Sequence, residues 1–294
     1  MVDFEEALAK RALVIDEALE FYLPPADAYP PLIHQAMRYS VSGGGKRLRP
    51  VLVMAVAEVL GGQVEKVLPA ACALEMIHCY SLIHDDLPAM DDDDYRRGKP
   101  TNHKVYGEAI AVLAGDALLT LAFSLLAATG STSPANVVKV INEIASAAGT
   151  FGMIGGQVVD TFSAGESITP STLEYIHKHK TGALYRAAVR TGAILAEARQ
   201  RELADLTRYA EHLGLAFQIK DDILDVEGDT AIIGKPAGSD LKNKKATYIS
   251  VYGIEEARVK AQKAEADALA ALERFGGEAD FLRQLVHFVV NRQR

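Results

Sequence analysis

Ten consecutive residues, Asp85-Asp86-Leu87-Pro88-Ala89-Met90-Asp91-Asp92-Asp93-Asp94, carry six carboxylates. A second acidic group, Asp221-Asp222-Ile223-Leu224-Asp225, lies far along the chain. On a helix Asp221 and Asp225 stand one above the other, while Asp222 points about 100° aside. Like charges at that spacing repel, and a multivalent cation removes the cost. Carboxylate oxygens are the ligands hard cations such as magnesium prefer, and magnesium commonly takes one or two of them together with substrate phosphates. An acidic run is often only a solvated face. Here, however, the first run ends an otherwise apolar segment, Tyr80-Ser81-Leu82-Ile83, and the ring of Pro88 clashes with the His84 carbonyl, so the chain must leave the helix. Two separated groups of this kind point to a phosphate group held between them by several metal ions.

Phosphate also requires cations from the protein. Gly44-Gly45-Lys46-Arg47-Leu48-Arg49 sets a basic cluster after a glycine loop, Arg96-Arg97 follows the first acidic run, and Lys178, Lys180, Lys235, Lys244 and Lys245 lie in polar segments. The Walker pattern fails for want of its spacing and Ser/Thr. An EF-hand fails for want of glycine at the sixth position and a correctly spaced Glu. His84 beside Asp85 suggests a His-Asp metallohydrolase pair, but no further histidines surround it. His177 and His179 flank Lys178 and read as a surface or phosphate-rim feature. Gln157 and Asp160 either line a cavity or cap a helix, and Lys242, Asn243 and Lys244 read as a closing loop or as solvated surface.

The elements that must position these residues are helical. Amphipathic or apolar stretches run over Asp3–Tyr22, Pro50–Leu60, Leu68–Ile83, Ala135–Gly149, Ile154–Phe162, Ser171–Ala196, Arg199–Leu224, Glu255–Arg274 and a last segment to Arg294. Pro69 falls in the first turn of its helix, where a missing N–H is tolerated. Hairpin signals are nearly absent and no linker or repeat appears, so residues 1–294 read as one all-α domain. Ala109–Thr129 is long and apolar enough to span a bilayer, but Asp116 interrupts it and no aromatic belt marks its ends. It is expected as a helix buried in a large core, with no stable membrane insertion.

The 294 residues are 49% apolar and 24% charged, an ordinary globular composition. A net charge of −8 disfavours nucleic acid as a partner. Cys72 and Cys79 are too few for a disulfide framework and fit reduced thiols of a cytoplasmic protein.

Taken in order, these motifs resemble the trans-prenyltransferases, or isoprenyl diphosphate synthases, and among them the bacterial farnesyl diphosphate synthases. Asp85-Asp86 through Asp91, followed by Arg96-Arg97-Gly98, is similar to the family's first aspartate-rich motif in its longer form. Asp221-Asp222 to Asp225, preceded by Phe217-Gln218, is similar to its second. Gly44 to Pro50, Gly156-Gln157-Val158-Val159-Asp160 and Lys180-Thr181-Gly182 resemble its other motifs, so the likeness spans roughly residues 40–250.

The resemblance implies an all-α bundle of ten or more helices around a deep cavity, usually a homodimer, that condenses isopentenyl diphosphate with an allylic diphosphate using magnesium. It implies Asp85, Asp91 and Asp221 as direct metal ligands, with Asp86, Asp222 and Asp225 in support. Arg96, Lys180 and Lys235 would hold the allylic diphosphate, with Lys245 nearby. Lys46, Arg49, His78 and Arg97 would hold isopentenyl diphosphate, and Thr181 and Gln218 would face the forming cation. No side chain stands out as the final base, a role left to the released diphosphate. Ser81 lies one turn below Asp85 and Tyr80 beside it, roughly 6–7.5 Å down the helix. An aromatic there implies a floor after a few isoprene units and a fifteen-carbon product. A geranylgeranyl diphosphate synthase is the alternative enzyme, and a non-catalytic synthase subunit, which would be expected to lose acidic ligands, is the alternative of another class. In a terpene cyclase the cluster Lys46, Arg49 and Arg97 would have no purpose. The extreme end, with Arg292 and Arg294, could contribute to closure.

Overall fold

The computed structural model describes residues 2–130, 133–166, 168–227 and 245–293. Among these the fold is almost wholly helical: α1 (Val2–Tyr22), α2 (Pro31–Val41), α3 (Leu48–Val59), α4 (Val64–Asp85), a hairpin of β1 (Tyr95–Arg96) and β2 (Lys99–Pro100), α5 (Asn102–Tyr106), α6 (Glu108–Ala127), α7 (Pro134–Ala148), α8 (Met153–Ser163), α9 (Pro170–Ile176), a π-helical turn (His177–Thr181), α10 (Gly182–Leu195), α11 (Gln200–Glu227), α12 (Tyr248–Tyr252), α13 (Ile254–Ala271) and α14 (Asp280–Asn291). The all-α architecture expected from the sequence is the one observed.

Local chemistry sets the starts. Ser133 and Thr169 accept from the backbone N–H groups of Asn136 and Thr172, and a proline follows each as the first residue of α7 and α9. Thr247 and Ser250 form a reciprocal capping box on α12. The centre is α3 with α4 and α10. Ten of the twelve residues of α3 are buried, and one apolar cluster runs from Phe4 to Val289. Cys72 and Cys79 are free and buried in α4, and burial pushes both thiols up to about 12.

Three expectations need correction. Helix α4 begins at Val64, so Pro69 lies inside it rather than in its first turn. The stretch Ser171–Ala196 is not one regular helix, because the π turn interrupts it just before Gly182. Helix α6 is not sunk in the core. It packs through a stripe of Ala111, Ala114, Gly115, Leu118, Ala122 and Leu126, while Val112 and Leu113 stay exposed and only 33% of its most apolar stretch is buried. By length and composition alone, α4, α6 and the stretch Pro134–Ser163 could cross a membrane.

Candidate active site

Helix α4 delivers the first acidic group at its C-terminal end, where the chain turns at Pro88 toward the hairpin. Asp85 accepts from Gln157 Nε2 at 2.6 Å and lies 3.9 Å from Lys180 Nζ. Lys180 is held in turn by Asp160 at 2.7 Å. Gln157 therefore lines the cavity, and Asp160 holds a lysine that lines it. Gly156 makes this possible: a side chain there would put its Cβ 2.2 Å from the Lys180 backbone nitrogen, so only glycine lets α8 lie against the π turn. Asp91 pairs with Lys245 at 2.5 Å. Burial alone would lower that lysine, but Asp91 and, behind it, Asp85 hold its pKa above the ordinary value.

The second acidic group sits inside α11. Asp221 pairs with the guanidinium of Arg292, which is buried near the chain's end with its Cζ 4.5 Å from the Phe217 ring centroid. Asp225 lies one turn further on α11. Lys180 and Thr181, consecutive in the π turn, tie the two groups together. Lys180 faces Asp85, while Thr181 Oγ1 donates to Gln218 Oε1 at 2.7 Å, one turn before Asp222. A ring of cations and aromatics completes the link. Arg49 lies 4.6 Å from the Tyr185 ring, Tyr185 is 5.1 Å from Phe217, and Arg292 covers the other side. The two acidic groups are thus linked through neighbouring side chains of the π turn.

The second aspartate of each pair does something else. Asp86 is 3% exposed, and its two oxygens accept from Arg96 Nε at 2.7 and 3.0 Å. Asp222 is 2% exposed and accepts from Gln218 Nε2 at 2.9 Å and from the Tyr248 backbone N–H at 2.7 Å. Grouping them with the metal ligands therefore needs revision: their oxygens are committed to protein donors and they act as struts. Arg96, expected on the allylic diphosphate, is engaged with Asp86 for the same reason. His177 is likewise no surface feature. It is buried against Tyr248, its Nδ1 has no partner among the described residues, and burial pushes its pKa down to about 4.

The basic cluster divides in a way its spacing does not reveal. Arg47 points inward, 3% exposed, and pairs with buried Glu75 at 2.7 Å and with Asp16 at 2.9 Å. Arg49 faces His78, whose Nε2 lies 3.4 Å from its Nη1. Burial, reinforced by Arg49 and Arg97, pushes His78 well below its usual pKa and keeps it neutral. Arg97 lies against the glycine loop and donates to the Gly44 carbonyl, while Lys46 reaches toward the Phe288 ring, 6.0 Å from its centroid. Lys235, with Lys242 to Lys244, falls outside the described residues.

From Asp85, Gln157, Lys180 and Thr181 a cavity of about 480 Å³ runs down past Leu184 to Tyr80, Ser81 and His84, with Thr161 and Phe162 on its outer side. Tyr80 is 5% exposed. The mouth offers oxygen donors and ammonium or guanidinium groups, and the shaft is largely apolar. That combination suits an anionic head on a hydrocarbon tail. Carboxylates paired with Lys and Arg side chains that can be displaced also suit a hard divalent cation.

A family model described as polyprenyl synthetase matches residues 30–287. A geranylgeranyl diphosphate synthase of Cyanophora paradoxa is 48% identical over 287 residues, 97% of this chain and 95% of that one. A farnesyl diphosphate synthase of Escherichia coli (strain K12) is 45% identical over 299 residues, covering 100% of both. Among solved structures, the apo form of an FPP/GFPP synthase from Zymomonas mobilis matches with a TM-score of 0.87 at 38% identity, covering 98% of this chain and 99% of that one.

Proposed function

Because the chain belongs to the polyprenyl synthetase family and is a trans-prenyl diphosphate synthase, we propose that its product is farnesyl diphosphate. The substrates are isopentenyl diphosphate and an allylic diphosphate, first dimethylallyl and then geranyl, and inorganic diphosphate is released. The observation that supports the product length is the buried ring of Tyr80, which lines the cavity that Asp85 also lines.

Asp85, Asp91, Asp221 and Asp225 are the carboxylates available to magnesium, which would neutralise the charge growing on the departing diphosphate. Lys180, held by Asp160 beside Asp85, and Lys245, paired with Asp91, would contact phosphate oxygens, with Lys235 assigned to the same head. Lys46, Arg49, His78 and Arg97 hold isopentenyl diphosphate on the opposite side. His78 serves as a neutral ring there, accepting from Arg49. Thr181 and Gln218, locked to each other, present fixed dipoles beside the allylic carbon as its positive charge develops. The apolar shaft keeps water from that carbocation. The exposed face of α6 is the surface we assign to a second copy in a homodimer.

Chromatography of the products formed from isopentenyl diphosphate and dimethylallyl diphosphate tests the reading, with and without a chelator. A fifteen-carbon product that disappears on chelation and returns with magnesium is expected. A twenty-carbon main product would favour the geranylgeranyl alternative, which the name of the Cyanophora paradoxa relative keeps open. Tyr80→Ala should shift the distribution toward longer chains; an unchanged distribution would remove Tyr80 from the argument.

A further inference from the structure

The ring of Tyr80 packs against a second ring from the same helix. His84 lies one helical turn above Tyr80 on α4, and the two rings meet edge to face, with centroids 5.7 Å apart and planes at 80°. Both line the cavity. The Tyr80 hydroxyl is buried and has no hydrogen-bond partner among the described residues, so packing holds the ring there. His84 is fixed from α6. Its Nε2 lies 3.0 Å from the Val112 carbonyl, and since a carbonyl only accepts, that nitrogen carries the proton. The imidazole is therefore directed at α6, where the Asp116 carboxylate also lies 3.9 Å from Nε2.

The space for that imidazole exists because residue 115 is glycine. A Cβ at Gly115 would fall 2.2 Å from His84 Nε2 and 2.5 Å from its Cδ2. Glycine in the interior of a twenty-residue helix such as α6 carries a conformational cost relative to alanine, and here it has a packing reason.

We propose that Gly115 and His84 form a positioning device that sets the height of Tyr80, and so the point at which the growing prenyl chain stops. A side chain at 115 drives the imidazole off the Val112 carbonyl and against Tyr80, making the shaft shorter. Removal of the imidazole takes away the buttress and makes the shaft longer. The proposal rests on the synthase reading and on Tyr80 as the stop, whatever the wild-type chain length proves to be.

The test is the ratio of ten-, fifteen- and twenty-carbon products made from dimethylallyl and isopentenyl diphosphates by Gly115→Ala, His84→Ala and the double variant. Circular dichroism serves as the check on folding. The wild-type product alone judges the farnesyl reading, and shifts relative to wild type judge this one. Gly115→Ala should raise the share of product one unit shorter by severalfold. His84→Ala should raise the share one unit longer by severalfold. The double variant should match His84→Ala, because Gly115 acts only through the imidazole. A general disturbance of the neighbouring Asp85 would slow every condensation without moving the ratio. A folded Gly115→Ala with the wild-type ratio overturns the proposal, as does a double variant whose ratio departs from that of His84→Ala. Should Gly115→Ala fail to fold, an unchanged ratio in His84→Ala overturns it alone and a longer product sustains it.

Discussion

The two acidic groups divide their labour in the same way but solve different mechanical problems. In each, the leading aspartate faces a cation: Asp85 is near Lys180, and Asp221 is paired with Arg292. The following aspartate is buried and spent on protein donors. The first group leaves its helix and continues into a loop and a two-residue hairpin, so its inner carboxylate must anchor an irregular segment. Asp86 does so with an arginine, Arg96, held through both oxygens. The second group stays within α11, and its inner carboxylate has only to orient one side chain and dock one helix. Asp222 does so with neutral donors, Gln218 and the N–H of Tyr248. In each Asp-Asp pair the second aspartate is a strut, and the strut is matched to the element it holds.

The widest separation should come from substituting the two members of the first pair. Asp85→Asn removes a carboxylate from the mouth, and kcat should fall by about 10²–10³ with little change in thermal stability. Asp86→Asn leaves Arg96 partly buried beside a neutral amide. Unfolding free energy should fall by about 3 kcal/mol, the lower end for breaking a buried ion pair. Equal stabilities for these two variants in denaturant melts would dissolve the distinction. The next effect sharpens the contrast between the groups. Asp222→Asn keeps one acceptor but turns an NH₂ toward a donor, so about 1–2 kcal/mol should be lost. It should also change the response to chain position, since Gln218 and Thr181 lose their brace. A stability loss exceeding that of Asp86→Asn would mean the neutral network, not the arginine anchor, is the stronger strut.

How much of this was legible in the sequence follows from what each feature depends on. Helices α1, α3, α7, α8 and α11 lie close to where periodicity and capping residues put them, because those signals act within a turn or two. The π turn was invisible, since a one-residue slip of backbone register has no residue type of its own, yet it presents Lys180 and Thr181 to opposite acidic groups. Spacing placed Asp222 about 100° from Asp221 but could not tell which direction is the core. Arg47 was grouped with a phosphate-facing cluster because its partner Glu75 comes from another helix. The partner of Arg292 is invisible to local pattern because it is Asp221, 71 residues away. What lies within one element was readable, and what is decided between elements was not.

The smallest expected effect also separates the two struts, through pH. Arg96 stays charged across the accessible range, so the Asp86 anchor gains no histidine-linked sensitivity. Asp222 lies 4.0 Å from His177 Nε2, and burial pushes His177 down to about 4, with Asp160 opposing and Lys180 assisting. That contact therefore joins a carboxylate to a neutral ring at neutral pH. The unfolded chain takes up its proton near the ordinary histidine value of about 6.5, while the folded chain refuses it until about 4. Above the first value neither state is protonated and His177 has no effect. Between the two the unfolded state binds more protons, so stability falls as pH falls, by about 1.4 kcal/mol per pH unit for one such group. His78 acts in the same direction from the isopentenyl side. His177→Gln should therefore reduce the loss of unfolding free energy between pH 6 and pH 5 by about 1 kcal/mol relative to the unsubstituted chain, leaving the part due to His78. Parallel stability curves for the two proteins over that interval would show that the second strut is as indifferent to acid as the first.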